Sequence, residues 1–141
     1  MPTMCDKCFS ISAMKYYSKC KCADKKCNGS MIEIDELFLI SISILNKKGY
    51  RTTFCCSGHP VEHKTIYNHS YISFDSNILL PNLPVGFKYD EDIDCNINGD
   101  IVIRKFFSDL NNDSKITKEL LITAKDVLEW AESLPDEKHI L

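Results

Sequence analysis

Apolar positions recur along this chain with two different periods, and the changes from one to the other mark out its elements. In EIDELFLISISILNKKGY, residues 33 to 50, Leu37, Ile40, Ile44 and Leu45 fall at helical spacing. Asp35 is placed to cap that helix, Lys47 and Lys48 lie in its last turn, and Gly49 stands just past its end. The period then drops to two. In YRTTFCC, Tyr50, Thr52, Phe54 and Cys56 share one face of a predicted strand, and Arg51, Thr53 and Cys55 share the other. SYISFD predicts a second strand, and the two prolines of NILLPNLPVGFKYDED break that stretch into a connection and a short strand.

DIDCNINGDIVIRKFF predicts a hairpin around Asn98 and Gly99. A two-residue turn there would pair Cys95 with Val102 and mix polar with apolar positions on each face. A three-residue turn that includes Asp100 sets Ile97 against Ile101 and Cys95 against Ile103, giving one apolar surface. The helical period returns in ITKELLITAKDVLEWAESLP, where Ile116, Leu120, Ala124, Val127, Ala131 and Leu134 form one stripe that Pro135 ends. The expected body is therefore α+β, a small, mainly antiparallel sheet packed with two helices. No repeat or low-complexity segment interrupts it.

The first 29 residues obey neither period, and cysteines take over there. At 141 residues, 44% apolar and 26% charged, the composition is that of one ordinary globular domain. The opening MPTMCDKCFS lacks a basic segment followed by an apolar run, and no later apolar stretch is long enough to span a bilayer. A cytoplasmic location, in the producer or in an infected host cell, is the expectation. In a reducing compartment eight cysteines argue for metal rather than disulfides. Cys5 and Cys8 in MCDKC stand three apart, and Cys22 and Cys27 in KCADKKC stand five apart, the spacings at which a turn brings two thiolates onto one tetrahedral ion. Cys5, Cys8, Cys22 and Cys27 are the expected Zn²⁺ ligands of an N-terminal ribbon or knuckle, with Cys20 as the substitute for Cys22. Residues 1–29 then form a zinc-binding head and 30–141 the α+β body, with zinc supplying folding energy that so few apolar residues cannot.

Charge separates the same two regions. Residues 1–29 carry six lysines against two aspartates, whereas the rest of the chain carries eleven basic and eighteen acidic side chains. Four thiolates and one Zn²⁺ would leave the head about +2. Lys15, Lys19, Lys21, Lys25 and Lys26, beside Tyr16 and Tyr17, could meet nucleic-acid phosphates and bases. The lack of arginine in the head and the acidic body favour the plainer reading, that these lysines solvate a small module.

The end of the first strand, GYRTTFCCSGHP, supports three readings. Cys56, His59, His63 and His69 could form a second zinc site, with three ligands and a water if it were catalytic. Cys56 could be a reactive thiol beside His59. Or the cysteines are buried strand residues and His59 caps a turn. Enzyme signatures are otherwise missing: no carboxylate near in sequence completes a triad with Cys56 and His59, and there is no HExxH, P-loop, GxGxxG or deaminase motif. Asp90, Glu91, Asp92 and Asp94 lack the glycine and final glutamate of a calcium loop and read as an exposed acidic turn.

The order of a cysteine-rich head, MIEIDELFLISISILNKKGYRTTFCCSGH, YISF and LEWAESLP resembles uncharacterised small proteins of low-GC Gram-positive bacteria and their phages. The resemblance covers most of the chain and implies a zinc-ribbon head and a phage or mobile-element setting, with no activity attached. The fragment CSG is also similar to the wybutosine-pathway methyltransferases, but Cys55 and His59 stand where that family has serine and arginine. The expected function is a non-enzymatic zinc-binding interaction protein, a modulator or inhibitor of a host protein or nucleoprotein, host defence such as CRISPR included. Its expected partner is a protein, with no membrane role. The alternatives are a zinc- or thiol-dependent enzyme centred on Cys56 and His59, and a nucleic-acid-binding regulator using the basic head.

Overall fold

A computed structural model describes residues 2–12, 22, 27–57, 69–90, 100–107 and 113–139. They form an α+β fold with two antiparallel sheets and two long helical elements. The smaller sheet has strands β1 (Thr3–Cys5), β2 (Ile11–Ser12) and β3 (Met31–Glu33) in the order β2-β1-β3. Thr3 pairs with Ser12 on one side and Glu33 on the other, so the cysteine-rich segment takes its third strand from residues past position 30. The larger sheet contains β4 (Thr52–Cys56), β5 (His69–Phe74), β6 (Lys88–Tyr89) and β7 (Ile101–Phe106), in the order β4-β5-β7-β6.

Helix α1 (Leu39–Lys47) starts later than the apolar spacing suggests. Residues 36–38 form a turn, and Asp35 serves that turn: its Oδ1 accepts the Leu37 N–H at 3.1 Å. The helix N-cap is Phe38, which makes no side-chain capping bond. Counting the turn as helix displaces the predicted stripe. Leu37 and Ile40 are exposed, and the buried face is Phe38, Leu39, Ile42, Leu45 and Asn46. Ser41 and Ser43 are buried as well, because α1 is wedged between helix α2 (Asp113–Ser133), strand β4 and strands β1 and β2 of the small sheet. Gly49 ends the helix as expected. At φ +96 it occupies the left-handed region that an L side chain enters only at a cost, and the Gly49 and Tyr50 N–H groups close back on Asn46 O (3.0 Å) and Leu45 O (2.9 Å).

Helix α2 (Asp113–Ser133) buries the predicted stripe of Ile116, Leu120, Val127 and Ala131, with Leu134 just beyond its end and Ala124 half-buried. Thr123 and Trp130 extend that face. Lys48, expected to serve the end of α1, caps α2 instead. Its ammonium donates to Ala131 O (2.8 Å), Glu132 O (2.8 Å) and Leu134 O (2.7 Å), using all three N–H groups on carbonyls at the negative end of the helix dipole. The Tyr50 hydroxyl donates to Pro135 O at 2.7 Å and completes the clamp between the two helix ends.

In the larger sheet, Cys55 stands opposite Ile72 and Ile72 opposite Ile103, and Ile72 and Ile103 belong to the core under the helices. Phe74 meets Trp130 of α2 edge-on at 6.4 Å. Ile103, expected to face Cys95, pairs with Ile72 and Tyr89; residues 91–99, including Cys95 and Ile97, lie outside the described residues. β4 is an edge strand, and its edge is blunted. A bulge shifts the register between Thr52 and Phe54, the Thr52 N–H donates to Asn46 Oδ1 at 3.2 Å, and the Ser57 N–H donates to Asp35 Oδ2 at 3.0 Å.

Candidate metal centre

Cys5, Cys8, Cys22 and Cys27 come together at one end of the small sheet, with all four Sγ atoms within 4.8 Å of one another. The separations Cys5–Cys27 and Cys8–Cys22 are each 3.7 Å, far beyond the ~2.05 Å of a disulfide, and all four are free thiols. Cys5 and Cys22 are buried and Cys8 and Cys27 half-buried. Met31 is the buried apolar neighbour that completes the cluster. Cys22 is thus the third member, in agreement with the spacing argument; its proposed substitute, Cys20, lies outside the described residues.

Local backbone chemistry builds this cluster. β1 ends at Cys5 and the chain turns sharply, so that the N–H groups of Lys7 and Cys8 approach Cys5 Sγ at 3.4 and 3.5 Å. Phe9 then adopts a left-handed backbone (φ 62), a conformation that costs a non-glycine residue about 1–2 kcal/mol. That twist closes the loop, with Cys5 N–H on Ser10 O at 2.9 Å and Phe9 N–H on Cys5 O at 3.1 Å. It also brings the Ser10 N–H and hydroxyl onto Cys8 Sγ, the hydroxyl at 3.1 Å. The strained residue is held on both sides: its ring packs against the main core, and its carbonyl accepts the Ser43 hydroxyl of α1 at 2.6 Å.

The second half repeats the device. The Gly29 N–H reaches Cys27 Sγ, and Cys22 N–H donates to Gly29 O at 2.9 Å. A Cβ on Gly29 would collide with Cys5 Sγ, so only glycine lets the two halves close. Asp6 ties them together: its N–H donates to Ser30 O and its Oδ1 accepts the Ser30 N–H, each at 2.9 Å. Ser10 and Gly29, each two residues after a cysteine, are the functional positions that cysteine counting misses. Their shared offset from Cys8 and Cys27 is the signal that finds them.

Cys8 and Cys27 do not ionise alike. Hydrogen bonds from the Ser10 side chain and backbone lower the Cys8 thiol to about 6. At Cys27 the Gly29 N–H acts in the same direction, but burial and the sulfurs of Cys5 and Cys8 outweigh it and push the thiol up to about 11. Cys8 ionises readily and Cys27 resists ionisation. That is the electrostatic state a bound cation would reverse.

The second candidate site is only partly within view. His59 and His63 lie outside the described residues, as do the lysines 15, 19, 21, 25 and 26 offered for nucleic acid. Cys56 and His69 are described and stand on β4 and β5. His69 Nε2 lies 3.1 Å from Arg104 Nη1, a contact in which the guanidinium can only donate. A metal on the same nitrogen would replace this contact. Cys55 faces the core, where burial, then the nearby Asp35 carboxylate, raise its thiol to about 12 despite the Asp35 N–H acting in the opposite sense. Its thiolate is therefore scarce at neutral pH. Of the acidic turn, Asp90 is described and accepts from Arg104 Nε at 2.8 Å.

Compared with known protein families, curated proteins and solved structures, the chain gives no match. Among the described residues no helix is long and apolar enough to cross a membrane.

Proposed function

We propose that this chain is a non-catalytic binding module whose N-terminal sheet is locked by one structural Zn²⁺ on Cys5, Cys8, Cys22 and Cys27. The observation that carries the reading is the sulfur geometry. Four thiolates on zinc at about 2.3 Å form a tetrahedron with edges of about 3.8 Å, close to the 3.7 Å separations seen here. The four cysteines fill every position of such an ion and leave none for a substrate or an activated water, so the centre supports shape rather than chemistry. Backbone N–H groups on Cys5, Cys8 and Cys27 orient the ligands and disperse their charge. With that centre structural, the work of the protein falls to its surfaces, and we read it as a modulator of a host protein or nucleoprotein.

Elemental analysis of the intact protein tests the centre. One zinc per chain, no visible absorption of the kind that iron in a four-sulfur site gives, and loss of the metal in Cys22→Ser are the expected results. An iron-loaded protein, or zinc retained by Cys22→Ser, would sink the assignment. Affinity capture from host lysate with zinc-loaded and zinc-stripped protein then asks whether a partner reads the metal-locked surface.

A further inference from the structure

The face of the larger sheet turned away from the helices carries polar chemistry that the metal centre does not use. Strand pairing places Cys56 beside Tyr71, Tyr71 beside Arg104, His69 beside Phe106 and Arg104 beside Lys88, all on that face. The rings form a row. His69 lies 5.8 Å from Tyr71 and 5.8 Å from Phe106, the latter edge-on, and the Arg104 guanidinium sits 5.2 Å from the Tyr71 ring centre. At the Phe106 end of the row opens a cavity of about 390 Å³ lined by Gly86, Lys88, Tyr89, Asp90, Arg104 and Phe106.

We infer that this cavity binds a nucleotide unit, one base with its phosphate, either free or within a single-stranded nucleic acid. Its volume suits a small ligand, and its lining divides into the two chemistries that a nucleotide presents. Phe106, on the same face as Arg104 and Lys88, is 60% exposed, which lets a base stack on its ring. Lys88 and Arg104 supply the cations for the phosphate. The Arg104 side chain is only 15% exposed, and Asp90 and His69 engage two of its five N–H groups, which holds the fork in place while other N–H groups remain to meet oxyanions. Among the described lining residues two cations, Lys88 and Arg104, stand against one carboxylate, Asp90. Gly86, at φ +80, also lines the opening, and the Lys105 stem packs where a side chain on Gly86 would stand.

This inference does not rest on the zinc reading, and zinc content is measured on the same samples so that the two can fail separately. Full-length protein is titrated with adenosine monophosphate, with adenosine, and with a fluorescent oligoadenylate octamer at about 50 mM salt, where phosphate contacts count most. Amide shifts at residues 86–90 and 104–106 on adding the monophosphate, with adenosine about tenfold weaker, would assign a free nucleotide; binding of the octamer alone would assign a single-stranded chain. In either case Phe106→Ala should weaken binding about tenfold, and Lys88→Gln should weaken it about fivefold and reduce the salt slope by about one. Both side chains are exposed, so unchanged Trp130 emission is expected to confirm that the variants fold. Failure of every probe to bind, or binding that survives both substitutions and therefore uses another surface, would overturn the proposal.

Discussion

The two sheets of this protein are held by different forces. The large one is stabilised by apolar burial: Phe38, Ile42, Leu45, Tyr50, Ile72, Phe74, Ile103 and Val127 are all fully enclosed beneath it and its helices. Around the small one the buried residues are Thr3, Met4, Cys5, Cys22 and Met31, and two of these are members of the sulfur cluster. So small an apolar set offsets little chain entropy. The contrast teaches where order comes from: a three-stranded sheet of two- and three-residue strands has at its end four sulfurs placed to close on one ion, whereas the large sheet has an apolar core of its own. The two are nevertheless coupled, since Met4 lies in the main core, Phe9 packs against it, and Ser43 of α1 bonds to the strained Phe9 carbonyl.

Removing the metal should break this comparison most visibly. Chelation is expected to abolish amide protection in residues 2–12 and 27–33 while β5, β7 and α2 stay protected. Because Met4 and Phe9 leave the core in the process, the body should lose about 3 kcal/mol and melt about 10 °C lower. Hydrogen exchange with and without chelator measures both effects. Protection in the small sheet that survives chelation would mean that sulfur does not hold it.

Acidity sharpens the same contrast, because only the small sheet carries the perturbed sulfurs of the cluster. Cys8, lowered from 9.0 to about 6, adds stability to the metal-free fold that is complete above pH 9 and is lost as the pH falls toward 6. Cys27, raised from 9.0 to about 11, favours the fold while protonated; that contribution is complete below 9 and is lost as the pH rises toward 11. From these two groups the metal-free small sheet should be most stable near pH 9. Metal affinity follows a different rule. Above pH 6 an incoming ion displaces the Cys27 proton but not one from Cys8, and below pH 6 it must displace both, so the slope of log affinity against pH should steepen by about one there. Competition with a zinc indicator across pH 5 to 8 reads this directly.

On the body side, Lys48→Met should show what holds the region that has an apolar core of its own. Three charged hydrogen bonds to the end of α2 are lost while the aliphatic stem is kept. The expected cost is about 1–3 kcal/mol, or about 3–9 °C in the melting of the body, with zinc content unchanged. Loss of zinc in this variant would show the two regions to be one cooperative unit.

How much of this was readable from sequence differs between the regions for the same physical reason. Ligand spacing is a local property, so Cys5, Cys8, Cys22 and Cys27 could be named with Cys20 as the alternative to Cys22, and the long period of α2 survived because its stripe runs from Ile116 to Leu134 without a break. What failed depended on tertiary neighbours. The phase of α1 slipped because Asp35 caps a turn and anchors Ser57 across the fold instead of starting the helix. Lys48 serves a helix 83 residues away. The strand partner of Ile103 came from the proline-broken connection, where Lys88 and Tyr89 pair with β7. In the knuckle, nothing about phenylalanine advertises a left-handed residue; only the surrounding core makes Phe9 tolerable there.

The smallest effect probes the few apolar contacts that the small sheet does possess. Thr3 is fully buried at the start of β1, the central strand of the small sheet, and its hydroxyl finds no hydrogen-bond partner among the described residues, an arrangement that costs about 1–3 kcal/mol of uncompensated desolvation. Thr3→Val exchanges that oxygen for a methyl group of similar shape and keeps a β-branched residue where a central strand favours one. The methyl is slightly larger than the hydroxyl, which returns part of the gain as crowding. A net stabilisation of up to about 1 kcal/mol is expected, and it should appear most clearly in the chelated protein, where no metal masks it. Exchange rates at Met4 and Ile32, whose residues pair across β1 and β3, would report it as slower opening. A variant that opens faster would mean that the Thr3 hydroxyl is bonded in solution, and that the small sheet owes more to polar contacts than to either sulfur or apolar burial.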